Sequence, residues 1–134
     1  MKKRESLLWA KIRKLKLIGQ IFRIESNTIN GIPDVYYICE GKSIWVELKS
    51  NEVKDLGLSK YQTNWHIDHQ IHGGRSYILQ ETLSQPKLKL LEVREPRSLD
   101  PVAEGENSRL TLLLHFDKML WDNNFEDENI TLNS

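Results

Sequence analysis

Three residues in the first half of the chain, Asp34, Glu47 and Lys49, have the types and spacing for hydrolytic chemistry. They flank two β-rich runs, VYYIC (35–39) and SIWVELK (43–49), separated by Glu40-Gly41-Lys42, which reads as a tight hairpin. With Glu40 and Gly41 as the two turn residues, paired positions sum to 81, and Asp34 falls directly opposite Glu47. Directly opposed residues of an antiparallel pair hold their Cβ atoms about 4.5–5.5 Å apart on one face. Two carboxylates that close can share one divalent cation; without it they repel, and one tends to keep its proton. Lys49, two residues past Glu47, projects to the same face, while Leu48 points into the opposite layer. That other face collects Val35, Tyr37, Cys39, Ile44, Val46 and Leu48, an apolar surface fit for a core.

A carboxylate pair with a neighbouring lysine suits hydrolysis of a phosphodiester. Hard oxygen ligands select Mg²⁺, which binds through one or two carboxylates plus substrate phosphate and keeps several waters. Such a metal supplies a nucleophilic water and neutralises charge on the phosphate. A nearby lysine orients that water or stabilises the transition state.

The ordered set is more specific than the short Glu-x-Lys pattern alone. Gly31-Ile32-Pro33-Asp34, a 12-residue gap, Glu47-Leu48-Lys49, then Leu58-Ser59-x-x-Gln62-x-x-Trp65 and a Gly-ended helix resemble the PD-(D/E)XK nuclease superfamily. Within it, the chain is most similar to the VRR-NUC and Holliday-junction-resolvase-like nucleases, which include small stand-alone phage forms. The similarity covers roughly residues 1–80. It implies an α/β, restriction-endonuclease-like fold and a Mg²⁺-dependent DNA endonuclease, with Mn²⁺ as a substitute. It also implies that Asp34, Glu47 and the backbone carbonyl of Leu48 bind the metal and that Lys49 is the catalytic lysine. Glu5, the sole acid of the first helix, and Gln62, at the start of the helix after the hairpin, are the residues that would join them. Plainer roles are open to each: Asp34 as a turn residue after Pro33, Glu47 and Lys49 as a surface ion pair, Glu5 at a helix dipole, Gln62 as a capping-box partner of Ser59.

These residues need a scaffold, and its elements are legible from periodicity. Residues 4–17 read as an amphipathic helix stopped near Gly19, and 20–25 alternate as a strand. Residues 26–33 and 51–58 are polar loops around the hairpin. Ser59-x-x-Gln62 resembles a capping box and opens a helix to about His72, ended by Gly73-Gly74. Strands are expected at 75–79 and 88–94, then a polar loop at 95–108. Residues 109–124 are apolar enough to be buried, either as strand-then-helix or as one helix, and the last ten residues should fray. Together these give a central mixed β-sheet flanked by helices. Residues 1–97 are expected to form the nuclease-like core, and 98–134 an acidic C-terminal extension packed on the same domain.

The chain of 134 residues fits one core. A single cysteine, Cys39, rules out an intramolecular disulfide and suits a reducing, cytoplasmic setting, such as that of a phage-infected cell. No run is long enough for a membrane span, and no small-molecule cofactor is called for. Formal net charge is zero, yet residues 1–97 carry 17 Lys/Arg against 11 Asp/Glu, and residues 98–134 carry 2 against 8. The basic N-terminal part suggests DNA as partner. Lys2, Lys3, Arg4, Lys11, Arg13, Lys14 and Lys60 are the candidate phosphate contacts, with Ser26 and Asn27 just before the Asp34 motif. His66, His69 and His72, spaced by three, rotate off one helix face and read as polar-face residues rather than zinc ligands. His115 reads as a satisfied core histidine. The expected function is a structure-selective endonuclease acting on branched or junction DNA, with a two-fold homodimer as the simplest way to face two backbones. A sequence-specific homing or restriction-type endonuclease, or a non-cleaving DNA-binding module on the same fold, is the alternative.

Overall fold

The computed structural model describes residues 3–26, 28–52, 56–94 and 98–121. The elements run α1 (Lys3–Arg13), β1 (Gln20–Arg23), β2 (Val35–Cys39), β3 (Lys42–Ser50), α2 (Lys60–Ile71), β4 (Ser76–Thr82), β5 (Lys87–Arg94), β6 (Ser98–Glu106) and α3 (Arg109–Leu120). The six strands form one sheet in sequence order. Every neighbouring pair is antiparallel except β3 and β4, which run parallel because α2 carries the chain back between them. The hairpin register is the one read from the sequence: Val35 pairs with Val46 and Cys39 with Lys42, about a Glu40-Gly41 turn whose residues both have positive φ (51° and 79°). That turn geometry matches the right-handed twist of the flanking strands.

The pleat sorts β2 and β3 into two chemistries. Val35, Tyr37, Cys39, Ile44, Val46 and Leu48 are buried with Leu8 and Ile12 of α1, Leu15 just after it, and Leu112, Phe116 and Met119 of α3 in the main core. Helix α2 covers the other face, where Leu56 and Ile67 pack with Ile78, Leu91 and Val93. Its N-terminus carries the full reciprocal capping box between Ser59 and Gln62.

Residues 95–108, expected as a polar loop, contain β6 instead. An edge strand has solvent along one side, so its acids stay hydrated, and Pro101 withholds an N–H that no further strand among the described residues needs. Residues 109–120 resolve into one helix, capped by Ser108, with Leu112, His115, Phe116, Met119 and Leu120 buried at helical spacing. The boundary drawn at residue 97 therefore lies between two paired strands of one sheet. Helix α1 ends at Arg13, four residues before the expected end. His66, read as a polar-face residue, is fully buried with Nδ1 2.8 Å from Ser76 Oγ. His115 is buried with Nε2 3.3 Å from the Leu88 carbonyl. Among the described residues, no helix is long and apolar enough to cross a membrane.

Candidate active site

Asp34 stands one residue before β2, at the point where the β2–β3 ladder ends. Its carbonyl accepts from Ile24 N (2.7 Å), and its Oδ2 accepts from Leu48 N (2.8 Å). The backbone of Asp34 is thus tied to the end of β1 and its carboxylate to β3. A strand residue projects its N–H and C=O to the same edge, so the Leu48 carbonyl opens toward Asp34, past the last β2 pair.

Glu47 points to the α2 side of the sheet and is only 3% exposed. It shares a hydrogen bond with the Asp34 carboxyl, while its Oε1 is buried without a protein partner. Burial raises its pKa first, the shared bond and charge of Asp34 raise it further, and Lys49 pulls it down, leaving it pushed up to about 10. Buried Glu5 of α1 acts on Glu47 in the same upward sense as Asp34. Lys49, 9% exposed, places Nζ 3.4 Å from Gln62 Oε1. That same Oε1 accepts from Ser59 N (2.9 Å), so the capping-box glutamine also faces the lysine. A cavity of about 440 Å³ adjoins them, lined by Asp34, Glu47 and Gln62 together with Arg23, Ser26 and Asn30.

Gly31 explains how the loop and helix are held in register. Its φ is +84°, and an added Cβ would lie 2.3 Å from the Tyr61 carbonyl oxygen and 2.8 Å from Gln62 N. The loop before Asp34 therefore lies directly on the first turn of α2, at a conformation and a distance that only glycine tolerates. Gly31→Ala is expected to cost about 2–4 kcal/mol of stability, the sum of backbone strain and displacement of α2. Denaturant unfolding checks it; a loss below about 0.5 kcal/mol would show that this contact does not set the site.

The structure brings Asp34 and Glu47 together, places Lys49 against Gln62 beside them, and sets Ser26 on the cavity wall, while Glu5, buried on α1, reaches Glu47 only through its charge and does not line the cavity. The basic candidates are scattered. Lys11 pairs with buried Glu81 (2.5 Å) on the α1 face of the sheet, and Lys14 lines a separate cavity with Arg109 near the start of α3. Arg4 and Arg13 are exposed on α1, and Lys60 at the start of α2 lies over the Tyr61 ring, 5.3 Å from its centroid. Lys2, Asn27 and the Lys3 side chain lie outside the described residues. Arg23 and Ile24, which also line the cavity, carry no motif and are recognisable only once β1 is known to pair with β2. Among the described residues no group of three or more His, Cys, Asp or Glu side chains stands ready for a metal. The groups that could hold one are two carboxylates, Asp34 and Glu47, and the main-chain oxygen of Leu48. That set fits Mg²⁺, which accepts few protein ligands, and the unpartnered buried Glu47 Oε1 is the atom such an ion would satisfy.

A mixed six-stranded sheet with helices on both faces, the site lying where the β2–β3 ladder ends, defines an α/β restriction-endonuclease-like fold. No family model matches the sequence, and no curated protein does. Among solved structures, the chain is similar to Hjc, a Holliday junction resolvase from the archaeal hyperthermophile Archaeoglobus fulgidus. The TM-score is 0.51 at 14% identity, over 82% of this chain and 91% of that one.

Proposed function

We propose that this chain is a Mg²⁺-dependent endonuclease that hydrolyses DNA phosphodiesters, with branched or junction DNA as its preferred substrate. The observation that carries the reading is the buried Glu47, with one oxygen unpartnered, lining a polar cavity together with Asp34 and Gln62, the glutamine that holds Lys49. The likeness in fold to a Holliday junction resolvase supports it. Asp34, Glu47 and the Leu48 carbonyl would hold the ion, Mn²⁺ substituting. Bound there, it supplies Lewis acidity toward the phosphate and lowers the pKa of a water.

The chain's own groups do the rest. The Lys49 ammonium stabilises negative charge on the phosphate oxygens, and Gln62 Oε1 holds it in place. Glu5 contributes negative charge felt at Glu47, which favours a cation there. Exposed Arg4, Arg13 and Lys60 hold flanking phosphates by charge. The proposed setting is intracellular, where free Cys39 stays reduced. The proposed active form is a two-fold dimer, each copy facing one backbone.

Cleavage of four-way junction, flap, nicked, linear and single-stranded DNA with Mg²⁺, Mn²⁺ or EDTA tests the reading. Metal-dependent cutting is expected, strongest on the branched substrates, with paired nicks across the junction as the sign of a two-fold dimer. Cutting at one defined sequence whatever the DNA shape would assign a sequence-specific enzyme instead. Folded protein that binds these DNAs and cuts none would leave a binding module.

A further inference from the structure

One feature of the α2 side of the sheet has no part in the metal chemistry. Phe22, Tyr36 and Trp45 are cross-strand neighbours on β1, β2 and β3. Their rings form a continuous row: Phe22 stacks on Tyr36 (centroids 6.5 Å apart), and Tyr36 lies 4.9 Å from Trp45. The row continues beneath α2 through Trp65, 5.4 Å from Trp45 and stacked on His69 at 4.6 Å. Its open end is not a core: Phe22 is 47% exposed, and Tyr36, Trp45 and Trp65 are partly exposed.

Position says what this row meets. Tyr36 and Trp45 are two residues from Asp34 and Glu47 along their strands, on the same face and about 7 Å away. A phosphate held over Asp34 and Glu47 therefore brings its own nucleosides to the aromatic row. Phe22 stands one residue before Arg23 and Ile24, which line the site cavity, so a nucleic-acid strand leaving that cavity along β1 reaches the row. In paired duplex the flat faces of the bases are hidden in the stack; unpaired bases offer them, and aromatic side chains take them up without regard to sequence.

We propose that Phe22, Tyr36 and Trp45 form a stacking surface for unpaired bases beside the scissile phosphate, making DNA with unpaired nucleotides at the cut the substrate class. This rests on the nuclease reading for the place of the phosphate, but its test does not need cleavage. In EDTA, fluorescence anisotropy compares a flap-bearing duplex with a fully paired duplex carrying the same number of phosphates. Wild type should favour the flap roughly tenfold, about one stacked base. Phe22→Ala with Tyr36→Ala should abolish that preference while shifting affinity for paired duplex less than about twofold, and Tyr36→Phe should keep it. Phe22→Leu, which retains apolar volume without a π face, should weaken the preference in the same direction even where the double variant does not fold. Equal affinity of wild type for both DNAs, or a preference that survives in the folded variants, overturns the proposal. So does a fall from dimer to monomer on light scattering with the preference intact, which would give the row to a second copy. A flap preference in protein that never cuts would sink only the nuclease reading; cutting without the preference would sink only the stacking surface.

Discussion

Lys49→Ala should lower DNA cleavage by about 10²–10³-fold while leaving DNA affinity in EDTA within about threefold. The factor is that for removing one electrostatic stabiliser of a developing charge. The fold should survive because Gln62 Oε1, relieved of Lys49, still accepts from Ser59 N and keeps α2 capped. Asp34 and Glu47 are untouched, so metal binding should persist. Lys49→Arg should not restore activity, because a planar guanidinium cannot occupy the position of a compact ammonium 3.4 Å from Gln62. Asp34→Asn makes the complementary case: the amide oxygen still accepts from Leu48 N, yet metal binding and cleavage should fall together. Single-turnover cleavage with parallel binding isotherms separates the two. Loss of DNA affinity in Lys49→Ala equal to its loss of rate would make Lys49 a phosphate anchor and remove its catalytic role.

What could be read from the sequence depended on whether a local rule fixed it. The two-residue turn at Glu40-Gly41 sets the β2–β3 register by counting, which puts Asp34 opposite Glu47 from the chain alone. The capping box at Ser59 and Gln62 is likewise a four-residue rule, and it starts α2 where expected. Strand β6 was not legible, because an edge strand lacks the apolar alternation that marks a half-buried one. His66 was misplaced because its burial depends on Ser76, ten residues away on another element. The aromatic row and the cavity wall at Arg23 depend on pairing β1 with β2 across residues 24–34, a loop too long for register arithmetic. The carboxylate site was thus written in short-range chemistry, and its surroundings in long-range pairing.

Glu47→Gln should remove the pH dependence of stability of the metal-free protein above neutrality. In the native state burial, then the shared hydrogen bond and charge of Asp34, hold the Glu47 proton up to about 10, against the pull of Lys49 and with the help of Glu5. Unfolded, the carboxyl titrates near its ordinary 4.5. Between those values the native state binds a proton that the unfolded state has lost. Stability is therefore greatest below the unfolded value and declines as pH rises toward the folded one. One proton corresponds to about 1.4 kcal/mol per pH unit, a fall in Tm of about 4–7 °C per unit for a domain of this size. Buried His66, its pKa lowered to about 4 by burial, costs stability only as pH falls below 6.5, so a scan from pH 7 to 9 isolates Glu47. Glutamine has no proton to lose, and its amide donates to Asp34 as the protonated carboxyl does, so its slope should be flat and its alkaline Tm higher. A divalent ion reverses the preference, because it needs the ionised carboxylate. Mg²⁺ should then bind about tenfold more tightly per pH unit in this range and displace close to one proton, and the glutamine variant should show no Mg²⁺-induced rise in Tm. Calorimetric melting from pH 7 to 9, in EDTA and in Mg²⁺, reads all of these at once. A flat profile for wild type in EDTA, or a slope retained by the glutamine variant, would show that Glu47 is not the group holding the proton where the metal should sit.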